Sequence, residues 1–432
     1  MHHFHYRQGE LFCEDVRLAD LAARHGTPLY VYSQQTITDH YHRLDQAMAG
    51  VDHLVCYAVK ANSNLAVLQV LARAGAGFDI VSGGELFRVL KAGGRADRCT
   101  FAGVGKTVAE IEYALGQGIH CFNAESEAEL EAINAVAGRL GITAPVALRV
   151  NPNVDAKTHK YISTGKAENK FGIDFERVAD AYDRAARLPH LRLRGVQMHI
   201  GSQLTEAGPF EQAVRKVAPL AAMLRDRHGI EFFSIGGGIG IVYRESLASG
   251  DESWWESRPG GGQPLTLAAY ASRILPVLQG LELRILLEPG RVIVGNAGVL
   301  VTRVLYTKKG SAKTFQIVDA GMGDLIRPAL YQGHHEVVPL REPTGTARET
   351  VDVVGPICET GDFFHQDASL PPMAAGDLVA LFSAGAYGFA MASNYNSRPL
   401  PAEVLVAGSH AHLARDRQSW DDLVRGEHLR EA

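Results

Sequence analysis

The 432-residue chain is 46% apolar and 21% charged, with a formal net charge of −5. These are ordinary proportions for a globular protein, and the length suits two domains or one large barrel with an appendage. The mild negative charge gives no reason to expect nucleic acid or an anionic membrane as partner, and the apolar runs are strand-sized, too short to span a bilayer.

The chain opens on MHHFHYRQGE, which lacks the apolar core of a signal peptide, so a cytoplasmic location is expected. His2, His3 and His5 read as a frayed tail or tag remnant rather than metal ligands, and no metal is expected. Leu29–Tyr32 is strand-like and stands ahead of the repeating pattern that follows. That pattern comprises eight short apolar runs: Leu54–Val59, Phe78–Val81, Cys99–Ala102, Ile119–Phe122, Val146–Val150, Gly195–Met198, Phe232–Ile235 and Arg284–Leu287. Near-continuous apolar character marks parallel strands covered on both sides.

The intervals read as helices. Asn62, Ser63 and Asn64 can cap a helix whose Leu65, Leu68 and Leu71 form a buried stripe. Gly83 and Gly84 lead into a helix over Glu85–Ala92, closed by Gly93 and Gly94. Glu125–Gly138 is a further helix, with acidic residues at its positive end. Eight strands alternating with helices predict a (β/α)₈ barrel over residues 36–295. Asp251–Pro264 reads as an exposed loop or lid. Beyond Gly295, Val299–Tyr306, Thr314–Val318, Glu349–Val354, Leu378–Phe382 and Ala402–Val406 are β-rich. They predict a second, mostly β domain, a sandwich or barrel-like unit, from residues 1–35 and 296–432, with Leu29–Tyr32 pairing into its sheet.

The five cysteines, Cys13, Cys56, Cys99, Cys121 and Cys358, are odd in number, widely spaced and without C-x-x-C, which argues against disulfides or a zinc site. Cys56, Cys99 and Cys121 lie in strand runs and read as small core residues.

Barrel chemistry lies where strands end. Lys60 follows the first run, Asp79 lies in the second, and Arg149 and Asn151 close the fifth. His199-Ile-Gly-Ser202 follows the sixth, Gly236-Gly237-Gly238 the seventh and Glu288-Pro-Gly290-Arg291 the eighth. Each has a bland alternative: a surface lysine, a satisfied core histidine, a tight turn, a salt-bridged loop. Together they suit one ligand. Glycine N–H groups and a serine hydroxyl cradle a phosphate, a lysine forms an imine with an aldehyde, a carboxylate keeps a pyridine nitrogen protonated and an imidazole stacks on the ring.

CYAVKANSN, GFDIVSGGEL, RVNPNVDAKTHKYISTGKAENKFGI, HIGSQL, GGGIG, EPGR, RPALY, CETGD and AYGFAMASNYNSRP together make the chain resemble the diaminopimelate decarboxylases, among the fold-type III pyridoxal-phosphate enzymes, over nearly its whole length. The resemblance implies a (β/α)₈ barrel with a β domain, pyridoxal 5'-phosphate as cofactor, conversion of meso-2,6-diaminopimelate to L-lysine and CO₂, and a homodimer with shared sites. It implies Lys60 as the imine lysine and His199 as the stacking ring. Ser202, Gly236, Gly237, Gly238, Gly290, Arg291 and Tyr387 become the phosphate set, and Glu288 the partner of the pyridine nitrogen. Arg291, Arg327, Tyr331, Glu359 and Tyr387 become substrate binders and Cys358 the proton donor, with Cys358 and Glu359 reaching in from a second subunit. Lys160, Gly323 and Thr360 depart from the family's usual Pro, Asn and Ser without removing a required group. Arg327 and Tyr331 are four apart, so one helical turn would face them the same way, with Pro328 at its start. The alternatives are another basic amino-acid or carboxylated-polyamine decarboxylase, a racemase, and a cofactor-binding protein without activity.

Overall fold

The computed structural model describes residues 1–154, 170–257 and 264–430. Most of THKYISTGKAENKFGI, with Lys160, lies outside the described residues, as do residues 258–263 of Asp251–Pro264. The chain divides into two compact units. One comprises Thr38–Ile241 and Pro264–Ile293; the other comprises Met1–Ile37, Val242–Gln263 and Val294–Ala432.

The first unit is a closed parallel barrel. Its strands are β1 (His53–Ala58), β2 (Gly77–Ile80), β3 (Cys99–Phe101), β4 (Cys121–Ala124), β5 (Ala144–Asn151), β6 (Leu191–Met198), β7 (Phe232–Ser234) and β8 (Arg284–Leu287). Each pairs in parallel with the next in sequence, and β8 pairs with β1 to close the ring. All eight predicted runs are strands, because each carries enough apolar length to be covered on both faces. A two-residue strand, Ile173–Asp174, adds to the edge of β5.

The helices follow their caps more closely than their composition. The Asn64 side chain accepts from Ala66 N–H and starts Leu65–Arg73. The buried stripe there is Val67, Leu68 and Leu71, whereas Leu65 is 37% exposed. The i, i+3, i+6 series drifts around a 3.6-residue helix, and its first member falls off the buried face. The Ser82 hydroxyl caps Gly83–Lys91, and Ser126 caps Glu127–Leu140, two residues later than the acidic run suggests.

The second unit is built on an antiparallel core of Gly298–Lys309 with Leu29–Ser33 on one side and Leu378–Leu381 on the other. Leu29–Ser33 also pairs in parallel with Ala402–Ala407. Thr314–Val318, Glu349–Val354 and Phe363–Leu370 extend the sheet from Gly298–Lys309. Phe363–Leu370, Val337–Pro339 and His410–Arg415 carry no long apolar signature, because Val337–Pro339 is only three residues long and most positions of the other two are exposed or half-buried.

Two expectations are corrected here. The N-terminus is not frayed: Phe4–Arg7 and Glu10–Cys13 form a hairpin. His2 is buried, its Nε2 lies 2.7 Å from Ser246 O and its ring packs against Phe4 and Phe382. The start of the Asp251–Pro264 segment is not a plain loop either, but a short helix, Glu252–Glu256, capped by Asp251. Both its tryptophans are half-buried, with indole N–H groups donating to Glu245 Oε2 and Ser249 O.

Candidate active site

Alternation along the barrel strands sorts their inward residues into two layers. Leu54, Cys56, Cys121, Ala147, Phe232 and Leu286 form an apolar plug. Two positions further on, Cys121 gives way to Asn123, Gly195 to Gln197, Phe232 to Ser234 and Leu286 to Glu288, and these four meet in a polar layer. The period of two along a strand keeps both residues of each pair inside the barrel.

Glu288 is the centre of that layer. Its Oε1 accepts from Ser234 Oγ at 2.7 Å and Asn123 Nδ2 at 3.3 Å, and its Oε2 from Gln197 Nε2 at 2.8 Å. A carboxylate has room for about four donors, so Oε2 keeps capacity for one more. Burial, and then the neighbouring Asp79, push Glu288 up to about 7 against the pull of these donors. A cationic N–H arriving at Oε2 would restore its ionisation.

Lys60 sits just past β1 in a single 3₁₀ turn, Val59–Ala61. Its Nζ lies 3.4 Å from Asp79 Oδ2, and its side chain is 41% exposed while Asp79 is 1% exposed. Burial raises Asp79 and Lys60 opposes this, and Asp79 Oδ1 has no hydrogen-bond partner among the described residues. The Glu288-Pro-Gly-Arg turn is locked to the lysine turn, since Ala58 N–H donates to Pro289 O at 2.9 Å. A Cβ on Gly290 would stand 2.9 Å from Ala61 Cβ, so only glycine allows this approach.

His199 follows β6, and its Nδ1 accepts from Gly237 N–H at 3.2 Å. Burial, then Arg149 and Lys60, hold its pKa well below the usual 6.5, so the ring is neutral. Gly237 is required by packing: a Cβ there would lie 2.1 Å from Glu288 O. Gly236 N–H contacts Ser234 Oγ at 3.4 Å, whereas Gly238 N–H makes no hydrogen bond among the described residues. Two of the three turn glycines thus serve the turn and the histidine, and Gly238 is the one with an open donor. Arg291 is buried and donates from Nη2 to Ser202 Oγ at 3.1 Å, which joins the ends of β6 and β8. Arg149, also buried, pairs with Glu125 at 2.8 Å and is a brace between β4 and β5.

The remaining predicted residues belong to the second unit. Arg327–Tyr331 is one short helix with Pro328 in its first turn; Arg327 is buried and Tyr331 half-buried. Cys358 and Glu359 are exposed, in the loop between Glu349–Val354 and Phe363–Leu370. Cys358 N–H donates to Asn396 Oδ1 at 2.9 Å, and Tyr395 Oη donates to Glu359 Oε2 at 3.0 Å. Asp362 clamps the same loop, accepting from the N–H groups of Met322 and Ile357 at 2.6 Å each. Tyr387 is half-buried with φ +56, a left-handed backbone uncommon for a side chain of its size. The other four cysteines are buried and free. Burial drives the thiols of Cys13, Cys56, Cys99 and Cys121 up, which suits inert core residues.

Sequence reasoning missed Asn123, Gln197 and Ser234 around Glu288, and Asn396, Tyr395 and Asp362 around Cys358 and Glu359. For the first three a signal existed: a polar residue two places after the last inward apolar one of a buried strand. For the loop residues no pattern short of the motif itself marks them. The barrel residues fit pyridoxal phosphate: a reachable amine, an acidic partner with one open acceptor, a neutral ring, and glycine, serine and arginine donors.

Residues 34–295 match the family model described as pyridoxal-dependent decarboxylase, pyridoxal binding domain. Over its full length the chain is similar to the diaminopimelate decarboxylases of Pseudomonas aeruginosa, at 52% identity over 99% of each chain, and of Vibrio cholerae, at 50% over 98% of each. Among solved structures it is similar to diaminopimelate decarboxylase of Helicobacter pylori complexed with L-lysine, with TM-score 0.87, 42% identity, and 94% and 98% of the two chains covered. The pyridoxal-binding barrel, the second β unit and the full-length identity place the chain in the diaminopimelate decarboxylase family of pyridoxal-dependent decarboxylases.

Proposed function

We propose a division of labour for the family's reaction, which converts meso-2,6-diaminopimelate to L-lysine and CO₂ with pyridoxal 5'-phosphate as cofactor. The carrying observation is identity of about half the residues across both units to diaminopimelate decarboxylases, not across the barrel alone. When bound, the cofactor is an electron sink for the charge left at Cα by loss of CO₂. Lys60 would hold it covalently, and Glu288 would keep a proton on its pyridine nitrogen. The neutral His199 ring would lie against it, and Gly238, Ser202, Gly290, Arg291 and Tyr387 would take its phosphate, with Gly236 and Gly237 shaping the turn that presents Gly238. Cys358 delivers a proton to Cα as general acid. Arg327, Tyr331, Arg291, Glu359 and Tyr387 read the substrate, with the Arg327 fork on the distal carboxylate and Glu359 on the distal ammonium.

A homodimer fits these roles, because Cys358 and Glu359 are exposed in one chain and an acid that protonates a carbanion works best shielded from water. Residues 36–295 are proposed as the cofactor domain, and 1–35 with 296–432 as the β domain; the family match over residues 34–295 supports this division, although Val242–Gln263 groups with the β unit. Among the described residues no helix is long and apolar enough to cross a membrane, and a cytoplasmic location is proposed. Holo-protein given meso-diaminopimelate should release CO₂ and lysine in equal amounts, and release from ornithine or a carboxylated polyamine instead would favour the alternative decarboxylase. Arg327→Ala should raise KM on the order of 100-fold with cofactor absorbance intact, and an unchanged KM removes Arg327 from the substrate set.

A further inference from the structure

Arg327 is 6% exposed, and a buried guanidinium must be held by its surroundings if it is to present a fixed fork. Its Nη1 lies 2.7 Å from Nε2 of His335, and its Cζ lies 4.5 Å from the centroid of the Tyr243 ring. Tyr243 in turn meets His335 edge to face, with centroids 5.3 Å apart and an interplanar angle of 81°. His335 is 0% exposed, and its Nδ1 lies 2.8 Å from Phe382 O.

These contacts determine the tautomer. A guanidinium only donates, so Nε2 of His335 must offer a lone pair; a carbonyl only accepts, so Nδ1 must carry the proton. A second proton on the ring would point an N–H at the guanidinium. The anchor is rigid, because Phe382 N–H also donates to Glu336 O at 2.9 Å, which ties the residue after His335 to the same backbone. Neither His335 nor Tyr243 brings a negative charge, so neither competes with a substrate carboxylate for the arginine's charge.

We propose that His335 is a positioning residue for substrate selection: as the neutral, Nδ1-protonated tautomer it holds the Arg327 fork, with Tyr243 beneath it, for the distal carboxylate. This rests on the assignment of Arg327 as reader of that carboxylate. Preorganisation is its effect, since a long side chain already fixed in its binding geometry loses less freedom when the ligand arrives.

The test uses holoenzyme with two substitutions that divide the ring's functions. His335→Asn keeps a donor near Phe382 O and loses the acceptor for Arg327, whereas His335→Gln can place an acceptor at the Nε2 position. Loss of the acceptor should raise KM for meso-diaminopimelate and Ki for L-lysine by roughly tenfold, and His335→Gln should recover most of this. The Ki of 1,5-diaminopentane, which lacks any carboxylate, and kcat should stay within about threefold. In an Arg327→Ala background His335→Asn should add nothing further. Equal KM for the Asn and Gln variants, or an equal rise in the Ki of the diamine, overturns the proposal. An unchanged KM in Arg327→Ala alone overturns the underlying assignment instead. Should neither His335 variant fold, long-range proton–nitrogen NMR of the unmutated protein decides: Nδ1 protonated and Nε2 bare is expected, and a proton on Nε2 overturns it.

Discussion

The barrel and the β unit place their functional groups by different means. In the barrel one rule repeats: an inward polar residue stands two places beyond an inward apolar one, and a turn carries the next group. Glu288, Gln197, Ser234 and Asn123 all obey it. In the β unit the groups stand on loops and a single helical turn, and each is tied by its own local bonds. Asn396 holds Cys358, Tyr395 holds Glu359 and His335 holds Arg327. Several of these loop residues take left-handed backbone without being glycine, among them Tyr387, Asn396 and Gln332. Repetition suits a cofactor common to many reactions, and separate loops suit a substrate that must be told from its relatives.

If that contrast is right, barrel substitutions should disturb the cofactor, and β-unit substitutions other than at Tyr387 should spare it. The largest effect is expected for Lys60→Ala, which would remove the proposed covalent anchor: kcat/KM should fall on the order of 10⁴-fold or more, with a changed visible absorbance of the bound cofactor. Glu288→Gln keeps the size of the side chain and most of its hydrogen bonds but loses the charge, so kcat should drop roughly 10²–10³-fold. A decrease in KM-dependent terms only would break the assignment of Glu288 to the cofactor. Cys358→Ala should lower kcat by about 10²-fold, the low end for a lost general acid. Because this thiol is exposed, melting temperature and cofactor absorbance should not move, and a shift in either would contradict its place on the substrate side.

The smallest effect is a pH dependence of stability in cofactor-free protein. Glu288 is pushed up to about 7 from an ordinary 4.5, so between these values the folded protein holds a proton that the unfolded chain has released. Its contribution to stability is therefore lost as pH rises through that window. Asp79 acts in the same sense, while His199, held low, acts in the opposite sense below its ordinary 6.5. The difference between wild type and Glu288→Gln isolates the first group. From pH about 5 to 8, wild type should lose up to about 2–3 kcal/mol relative to the variant in denaturant unfolding. A flat difference would mean that Glu288 is already ionised before any cation arrives.

The barrel was legible because covered strands must be apolar along most of their length, and chain order then dictates their neighbours. Lys60, His199, Gly236–Gly238 and Glu288 could be nominated from their place after such runs. Arg327 and Tyr331 could be put on one turn from their spacing alone, and the short helix Arg327–Tyr331 does carry both. Three things were decided only in three dimensions. Gly237 serves close packing against Glu288 O as much as any ligand, a fact of distance between two turns. The N-terminal histidines gave no hint of burial, because the groups that enclose His2, Ser246 and Phe382, come from far along the chain. Long-range partners such as Gln197 for Glu288 and Phe382 for His335 lie tens of residues away, and hydrogen bonding has no periodicity that would expose them in the sequence. Apolar period and turn chemistry are local properties that a sequence carries directly; the partner of a buried polar group is set by the fold, and here those partners set the charge on Glu288 and the aim of Arg327.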